Sequence, residues 1–219
     1  TSHRYVSERA AAMLGKAPEN VNVVTCHLGN GSSLSAVKDG KCQDTSMGLS
    51  PLAGVPMGTR AGDIDTCVAQ YMMNHDNLTA DECLNILNKK SGVMGVSGVS
   101  SDMRELEKAV GEGNPRAILA LDIYQQRIIK YIGAYAAEMG GVDIIVFTGG
   151  VGENQTGLRA DVCRPLAFMG VKIDEELNAR TRGTETILST DDSAVKVVVV
   201  PTDEELMIAR DTRDIVRKL

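Results

Sequence analysis

At 219 residues, with 43% hydrophobic and 24% charged side chains, the chain has the composition of a globular protein able to bury a sizeable core, not of a disordered segment. A net charge of −6 and the lack of any Lys/Arg cluster argue against nucleic acid or an acidic membrane surface as main partner. No apolar run reaches the roughly 18–20 residues of a membrane span.

In chain order, residues 3–14 read as a helix, and Lys16-Ala17-Pro18-Glu19-Asn20 breaks it. The opening stretch has no secretory apolar region and no starting Met, which is the look of a piece cut from something longer. Residues 21–27 are a β-branched run and hence a buried strand. Asp39-Gly40 is a hairpin signal between "SSLSAVK" and "KCQDTSM", predicting two antiparallel strands. Gly, Pro and Ser make 48–62 a loop. Helices are expected from Asp63 to Asn74, from Thr79 with Glu82 three places on as a capping box, after Ser101, and from Pro115 to about Met139. Met72, Met73 and Met139 fall at helical positions that suit a core. The apolar runs 142–147 and 195–200 read as two further buried strands, with a helical stretch over 156–168 between them. The final stretch "EELMIARDTRDIVRKL" reads as an amphipathic helix with Ile208, Thr212, Ile215 and Leu219 on one stripe. Strands, a helical block, then strands alternating with helices make an α/β domain. The five cysteines (Cys26, Cys42, Cys67, Cys83, Cys163) are odd in number and lack a C-x-x-C pair, which argues against a disulfide framework or zinc site and fits a reducing, cytoplasmic setting.

Three buried strands thus end on three polar loops, at 27–33, 148–154 and 202–205. In an open α/β sheet ligands collect beyond the carboxyl ends of the strands. Glycine turns expose N–H groups that bind phosphate, and a nearby carboxylate can hold Mg²⁺. The named nucleotide motifs are not met: Ser35 and Cys42 spoil a P-loop around Gly40-Lys41, and Gln155 takes the third glycine position after Gly150 and Gly152. Each residue also has a plain structural reading: His27 as a hydrogen-bonded buried histidine, Arg60 as a surface or ion-paired arginine, Glu204 as first-turn helix charge, and Asp102 with Arg104 as the solvated start of a helix.

Taken together, "HLGNGSS", "DTSMGLSPLAGVPMGTRAGDID", "NKKSGVMGVSG", "FTGGVGEN" and "PTDEEL" resemble, in order and spacing, the acetate kinases, members of the actin-like, sugar-kinase and Hsp70 ATPase superfamily with a ribonuclease H-like fold. The resemblance covers essentially the whole chain, and propionate kinases share the motifs. It implies reversible, Mg²⁺-dependent, in-line phosphoryl transfer between ATP and acetate, giving acetyl phosphate and ADP. It places His27, Leu28, Gly29, Asn30 and Gly31 along the ATP phosphates, with Asn30 and Arg60 catalytic and Arg60 steadying the transferred group. Pro51 falls in the pocket for the acetate methyl. Asp102, Met103 and Arg104 lie at the adenosine with Gly150, Val151, Gly152, Glu153 and Asn154, and Glu204 lies at Mg²⁺. His3 belongs to a "HGTSH" segment whose leading His precedes Thr1.

Asp203 stands where the family usually has Asn, Ala53 where Glu is frequent, Gly149 where Ala is frequent, and Met103 where Phe is found. Family members are about twice as long. The resemblance therefore implies the C-terminal actin-like domain (1–219), with the N-terminal domain absent, a homodimer contact in this half, and a final helix (205–219) that returns to the missing domain. Two functions of different class remain open at this point. One is an acetate or propionate kinase active only when whole; the other is a stand-alone nucleotide-binding or dimerisation module without turnover.

Overall fold

The structure, a computed structural model, describes residues 1–218. The chain divides into two units. A sheet unit holds Thr1–Leu28, Leu34–Asp44 and the described residues from Ile132 onward, and a helical unit holds Gly29–Ser33 and Thr45–Tyr131.

The sheet unit is built on β1 (Val23–Leu28), β4 (Ile144–Thr148) and β6 (Lys196–Val199), which run parallel in register: Val23 beside Ile144, His27 beside Thr148, Ile144 beside Lys196. Their near-continuous Val/Ile content is what a parallel sheet buried on both faces demands. β2 (Ser32–Lys38) and β3 (Lys41–Thr45) extend it on one side and β5 (Thr186–Ile187) on the other, in the order β3-β2-β1-β4-β6-β5. The expected α/β, ribonuclease H-like sheet is found. Asp39 and Gly40 both have positive φ (53° and 70°), the requirement of a type I′ turn, and so short a connection joins only antiparallel neighbours. β5, a two-residue antiparallel partner of β6, carries too little pattern to be foreseen. β1 starts two residues later than the apolar run, because the Asn22 N–H donates to the Asp143 carboxylate (2.7 Å) instead of to a strand.

One face of this sheet is covered by α1 (Ser2–Met13), whose Val6, Ala10 and Ala11 pack on Val23, Ile144, Val146, Val198 and Val200. Strand alternation then puts Thr25 and His27 on the α1 face and Val24, Cys26 and Leu28 on the other. That second face meets the helix after β4: a Cβ on Gly152 would lie 3.5 Å from the Cys26 carbonyl. The segment "GGVGEN", expected as a loop, is a short helix, α7 (Gly149–Asn154), followed directly by α8 (Thr156–Cys163). A further short helix, α9 (Glu175–Arg180), starts with the Asp174 carboxylate accepting from Leu177 N–H.

The helical unit contains α2 (Thr66–Asp76), α3 (Ala80–Lys89), α4 (Gly92–Ser97), α5 (Met103–Gly111) and the first part of α6 (Pro115–Met139). The capping box holds: Thr79 Oγ1 accepts from Glu82 N–H and the Glu82 carboxylate accepts from Thr79 N–H (2.8 Å). α2 begins after Asp65, not at Asp63. Asp65 is its N-cap, while the Asp63 carboxylate accepts from Gly54 N–H (2.8 Å), from Arg127 (3.3 Å) and from the Tyr131 hydroxyl (2.6 Å). Met72 and Met73 are only half-buried, contrary to the expectation of core positions, since α2 has no fully buried residue. On α6, Ala117, Ala120, Tyr124 and Ile128 form a buried stripe within the helical unit, and Ile132, Tyr135 and Met139 continue it in the sheet unit at the same three- and four-residue spacing.

The last helix, α10 (Glu204–Val216), is capped by Asp203, whose carboxylate accepts from Leu206 N–H (2.9 Å). Only Met207 is buried, while Ile208 and Ile215 are 59% and 63% exposed. The fourth residue of the expected stripe, Leu219, lies outside the described residues. With so little apolar burial, amides of 206–218 are expected to exchange with solvent well ahead of those in β1, β4 and β6. Hydrogen-exchange mass spectrometry checks this, and equal protection would contradict the exposed stripe.

Candidate active site

Of the sequence-predicted residues, Gly29, Asn30, Gly31, Pro51, Arg60, Asp102, Met103 and Arg104 fall in the helical unit. His27, Leu28, Gly150, Val151, Gly152, Glu153, Asn154 and Glu204 fall in the sheet unit.

In the helical unit, the turn at 29–32 is closed by Ser32. Its hydroxyl donates to the Gly29 carbonyl (3.1 Å) and is anchored on the Tyr124 hydroxyl (2.8 Å). Against this turn lies the Arg60 loop. Gly58 N–H donates to the Asn30 carbonyl (3.3 Å), and a Cβ on Gly31 would stand 3.4 Å from Arg60 Nη1. Asn30, Gly31, Gly58, Thr59, Arg60 and Ser101 enclose a pocket of about 210 Å³. The half-buried Arg60 guanidinium meets only the Met57 sulfur (3.3 Å) and the Pro51 carbonyl (3.5 Å), and pairs with no carboxylate among the described residues. A cation left without a counter-ion beside a glycine turn is suited to an anionic ligand.

The loop is stiff. Ser91, Val93 and Met94 donate their N–H groups to the carbonyls of Thr59, Met57 and Gly58 (2.9–3.0 Å), so the open donors at the start of α4 are met by the loop that bears Arg60. Ala61 N–H donates to Leu87 and the Thr59 hydroxyl to Asn88 (both 2.9 Å). Gly92, at φ +61, sits so close that a Cβ would meet the Met57 carbonyl at 2.1 Å.

Asp102 and Arg104 serve mainly each other. Asp102 is the N-cap of α5, accepting from Arg104 N–H (2.9 Å), and its carboxylate takes three bonds from the exposed guanidinium, which hold its pKa down at about 2. Met103 is buried, and Pro51 is exposed.

In the sheet unit, the ends of β1 and β6 are joined through α1: Ser2 Oγ bonds His27 Nδ1 (2.9 Å) and Thr202 Oγ1 (2.6 Å). Burial lowers the His27 pKa, while Glu204 and Glu153 oppose that shift. Leu28, Val151 and Gly152 are buried, so they can offer a ligand little beyond backbone, whereas Gly150 and Asn154 are exposed. The Glu153 carboxylate accepts from Gly149 N–H (2.9 Å), closing its own helix. Gly149 has φ +76, and a Cβ there would meet the Leu28 carbonyl at 2.7 Å, so glycine suits this backbone. Glu204 is exposed in the first turn of α10. No three His, Cys, Asp or Glu side chains converge as a metal cage among the described residues. Mg²⁺ needs none, since one or two carboxylates, waters and substrate phosphates hold it, and Glu204 fits that pattern.

Sequence reasoning missed Ser2 and Thr202, which meet across 200 positions without any local signal. It also missed Asp63 and Gly92 as supports of the Arg60 loop, although both lie inside quoted motifs. His3 is held neutral: burial, then the nearby His27 and the chain's amino terminus, push its pKa down to about 4. The unfolded chain therefore binds the extra proton first. Stability is full above pH 6.5 and falls as pH drops toward 4, by up to about 3 kcal/mol from this group. Denaturant midpoints measured from pH 7 to 4 should fall less steeply in His3→Gln than in the unaltered protein.

The Acetokinase family model matches residues 1–210. An acetate kinase of Phocaeicola vulgatus is 63% identical over 218 residues, covering the whole chain and 54% of that protein. The crystal structure of Porphyromonas gingivalis acetate kinase superposes with a TM-score of 0.96 at 52% identity, over 98% of the chain and 54% of that structure. A propionate kinase from Francisella tularensis gives 0.88 at 42% identity, over 95% and 52%. The chain spans about half the length of the curated relatives it matches.

Proposed function

The chain belongs to the acetokinase family, and from that membership we propose that it is the nucleotide-binding half of an acetate kinase. In the whole enzyme an acetate oxygen attacks the γ-phosphorus of ATP in line, the bond to the β-phosphate oxygen breaks, and acetyl phosphate and ADP form reversibly. Such a transfer asks the protein for positioning and for charge on the equatorial oxygens. The observation that carries this reading is Arg60, uncompensated by any carboxylate among the described residues, on a braced loop beside the Asn30–Gly31 backbone.

Arg60 holds the transferred phosphoryl group, and its planar fork reaches two oxygens at once. Asn30 with the backbone of 27–31 follows the phosphates. Gly150, Val151, Gly152, Glu153 and Asn154 with Asp102, Met103 and Arg104 meet the adenosine. Pro51 borders the alkyl group of the acid, so propionate is a second substrate to test. Glu204 would hold Mg²⁺, which when bound offsets phosphate charge. Exposed Tyr71, Leu119 and Ile123 in the helical unit support a homodimer. For the chain on its own, half the length of its relatives, the second reading applies: nucleotide binding without turnover.

Intact mass and a hydroxamate assay on one purified sample, with acetate and with propionate, test both readings. A mass near 23.4 kDa with ATP bound but no acyl phosphate formed fits the binding half. A mass near twice that, with acetate-dependent turnover, fits the kinase. Neither nucleotide binding nor turnover at either mass would overturn both.

A further inference from the structure

Arg159 is fully closed off from solvent and is among the largest side chains so buried. A guanidinium buried this deeply normally faces a carboxylate, and this one does not. Nε donates to Asn178 Oδ1 (2.9 Å), Nη1 to the carbonyls of Gly152 (2.9 Å) and Glu153 (2.8 Å), and Nη2 to the carbonyls of Asn178 (3.2 Å) and Thr181 (2.8 Å). Every acceptor is neutral, and four of the five are carbonyls at the C-terminal ends of α7 and α9. Helix ends leave such carbonyls without partners inside the helix and carry partial negative charge. Two helix ends therefore stand in for the missing counter-ion. Burial lowers the Arg159 pKa only to about 10, so the group stays protonated near neutrality.

α7 is six residues long, opens on two glycines, and is too short to be stable by itself. Its far end is held from one side by Arg159. From the other, Gly183 N–H donates to the Glu153 carbonyl (3.2 Å), and a Cβ on Gly183 would lie 3.8 Å from Asn154 Oδ1. We propose that Arg159 is a positioning residue for nucleotide binding: it clasps the C-terminal end of α7 to that of α9, which fixes the exposed edge formed by Gly150 and Asn154. The clasp rests, for its purpose, on the reading that this edge meets the adenosine. It needs arginine in particular, because a single ammonium group has three donors on one atom and cannot span two helix ends.

The test uses Arg159→Lys and Arg159→Met in the intact protein, with two readouts. Without nucleotide, amides of 150–155 should exchange about tenfold faster while β1 and β4 keep their protection. With nucleotide, the KM for ATP should rise about tenfold while the KM for acetate and kcat stay nearly unchanged. Restoration of both readouts by Lys would overturn the clasp. So would unchanged exchange at 150–155, or loss of protection shared equally by β4, which would make Arg159 a general stability element. A loosened α7 with an unaltered KM for ATP would overturn the link to nucleotide. If the unaltered protein binds no nucleotide, the functional reading fails, and the exchange measurement still decides the clasp. Asn178→Ala, which withdraws the Nε acceptor together with the bond from Asn178 Nδ2 to the Thr156 carbonyl (2.8 Å) and leaves the four carbonyl contacts of Arg159 in place, should give the same pattern at smaller size if both Arg159 variants fail to fold.

Discussion

Arg60→Ala in the full-length protein is expected to cut acetyl phosphate formation by about 10³-fold or more, with ATP still bound. The size follows from the job. Phosphoryl transfer spreads charge over three equatorial oxygens, and a guanidinium already aimed at them needs no rearrangement as the charge moves. Under the proposed reading Arg60 suits that job: its loop is fastened by backbone bonds, and its charge is not spent on a carboxylate among the described residues. Loss of the arginine therefore costs the reaction little in ground-state binding and much at the transition state. The hydroxamate assay reads the rate, and a fluorescent ATP analogue reads the binding. Turnover close to normal would take Arg60 out of the mechanism.

Gly92→Ala should act on the same loop from behind. The backbone there has φ +61, which costs an L-residue about 1–2 kcal/mol. A Cβ would also stand 2.1 Å from the Met57 carbonyl and 2.7 Å from that of Arg60. Both are rigid backbone atoms, so the loop or α4 must move, and the bond from Val93 N–H to Met57 is the first to stretch. A total destabilisation of about 2–4 kcal/mol is expected, together with a fall in turnover of about 10²-fold, the usual result of moving a catalytic group by about 1 Å. Thermal melts and the acyl phosphate assay on one preparation measure both. Normal values of both would mean that α4 does not brace the loop.

The parts of the fold readable in advance were those whose cause is local. Val- and Ile-rich runs announce β1, β4 and β6; Asp39-Gly40 sets the hairpin; Thr79 and Glu82 start α3. The parts that were not readable owe their shape to distant partners. "GVMGVS" has two glycines and poor helix propensity, and α4 forms because its first N–H groups are taken up by 57–59. α7 looked like a loop for the same reason, its carbonyls being held by Arg159. The candidate site was legible only through motif resemblance: nothing in "MGTRAGDID" by itself tells an uncompensated arginine from an ion-paired one. The bonds of Ser2 to His27 and Thr202 join residues that no window of sequence contains together.

The pairing of β1 with β4 sets the order of events during synthesis. Val23 sits beside Ile144, 121 positions further on (144 − 23). At about 5–20 residues per second, roughly 6–25 s pass between the emergence of the two strands. The stretch Thr45–Tyr131 is continuous and leaves the ribosome entire within that interval. Meanwhile β1, beside its hairpin, presents a bare apolar edge to the cell. The newborn chain is thus most open to aggregation before residue 144 appears, and a ribosome stalled among the helices would leave that edge uncovered.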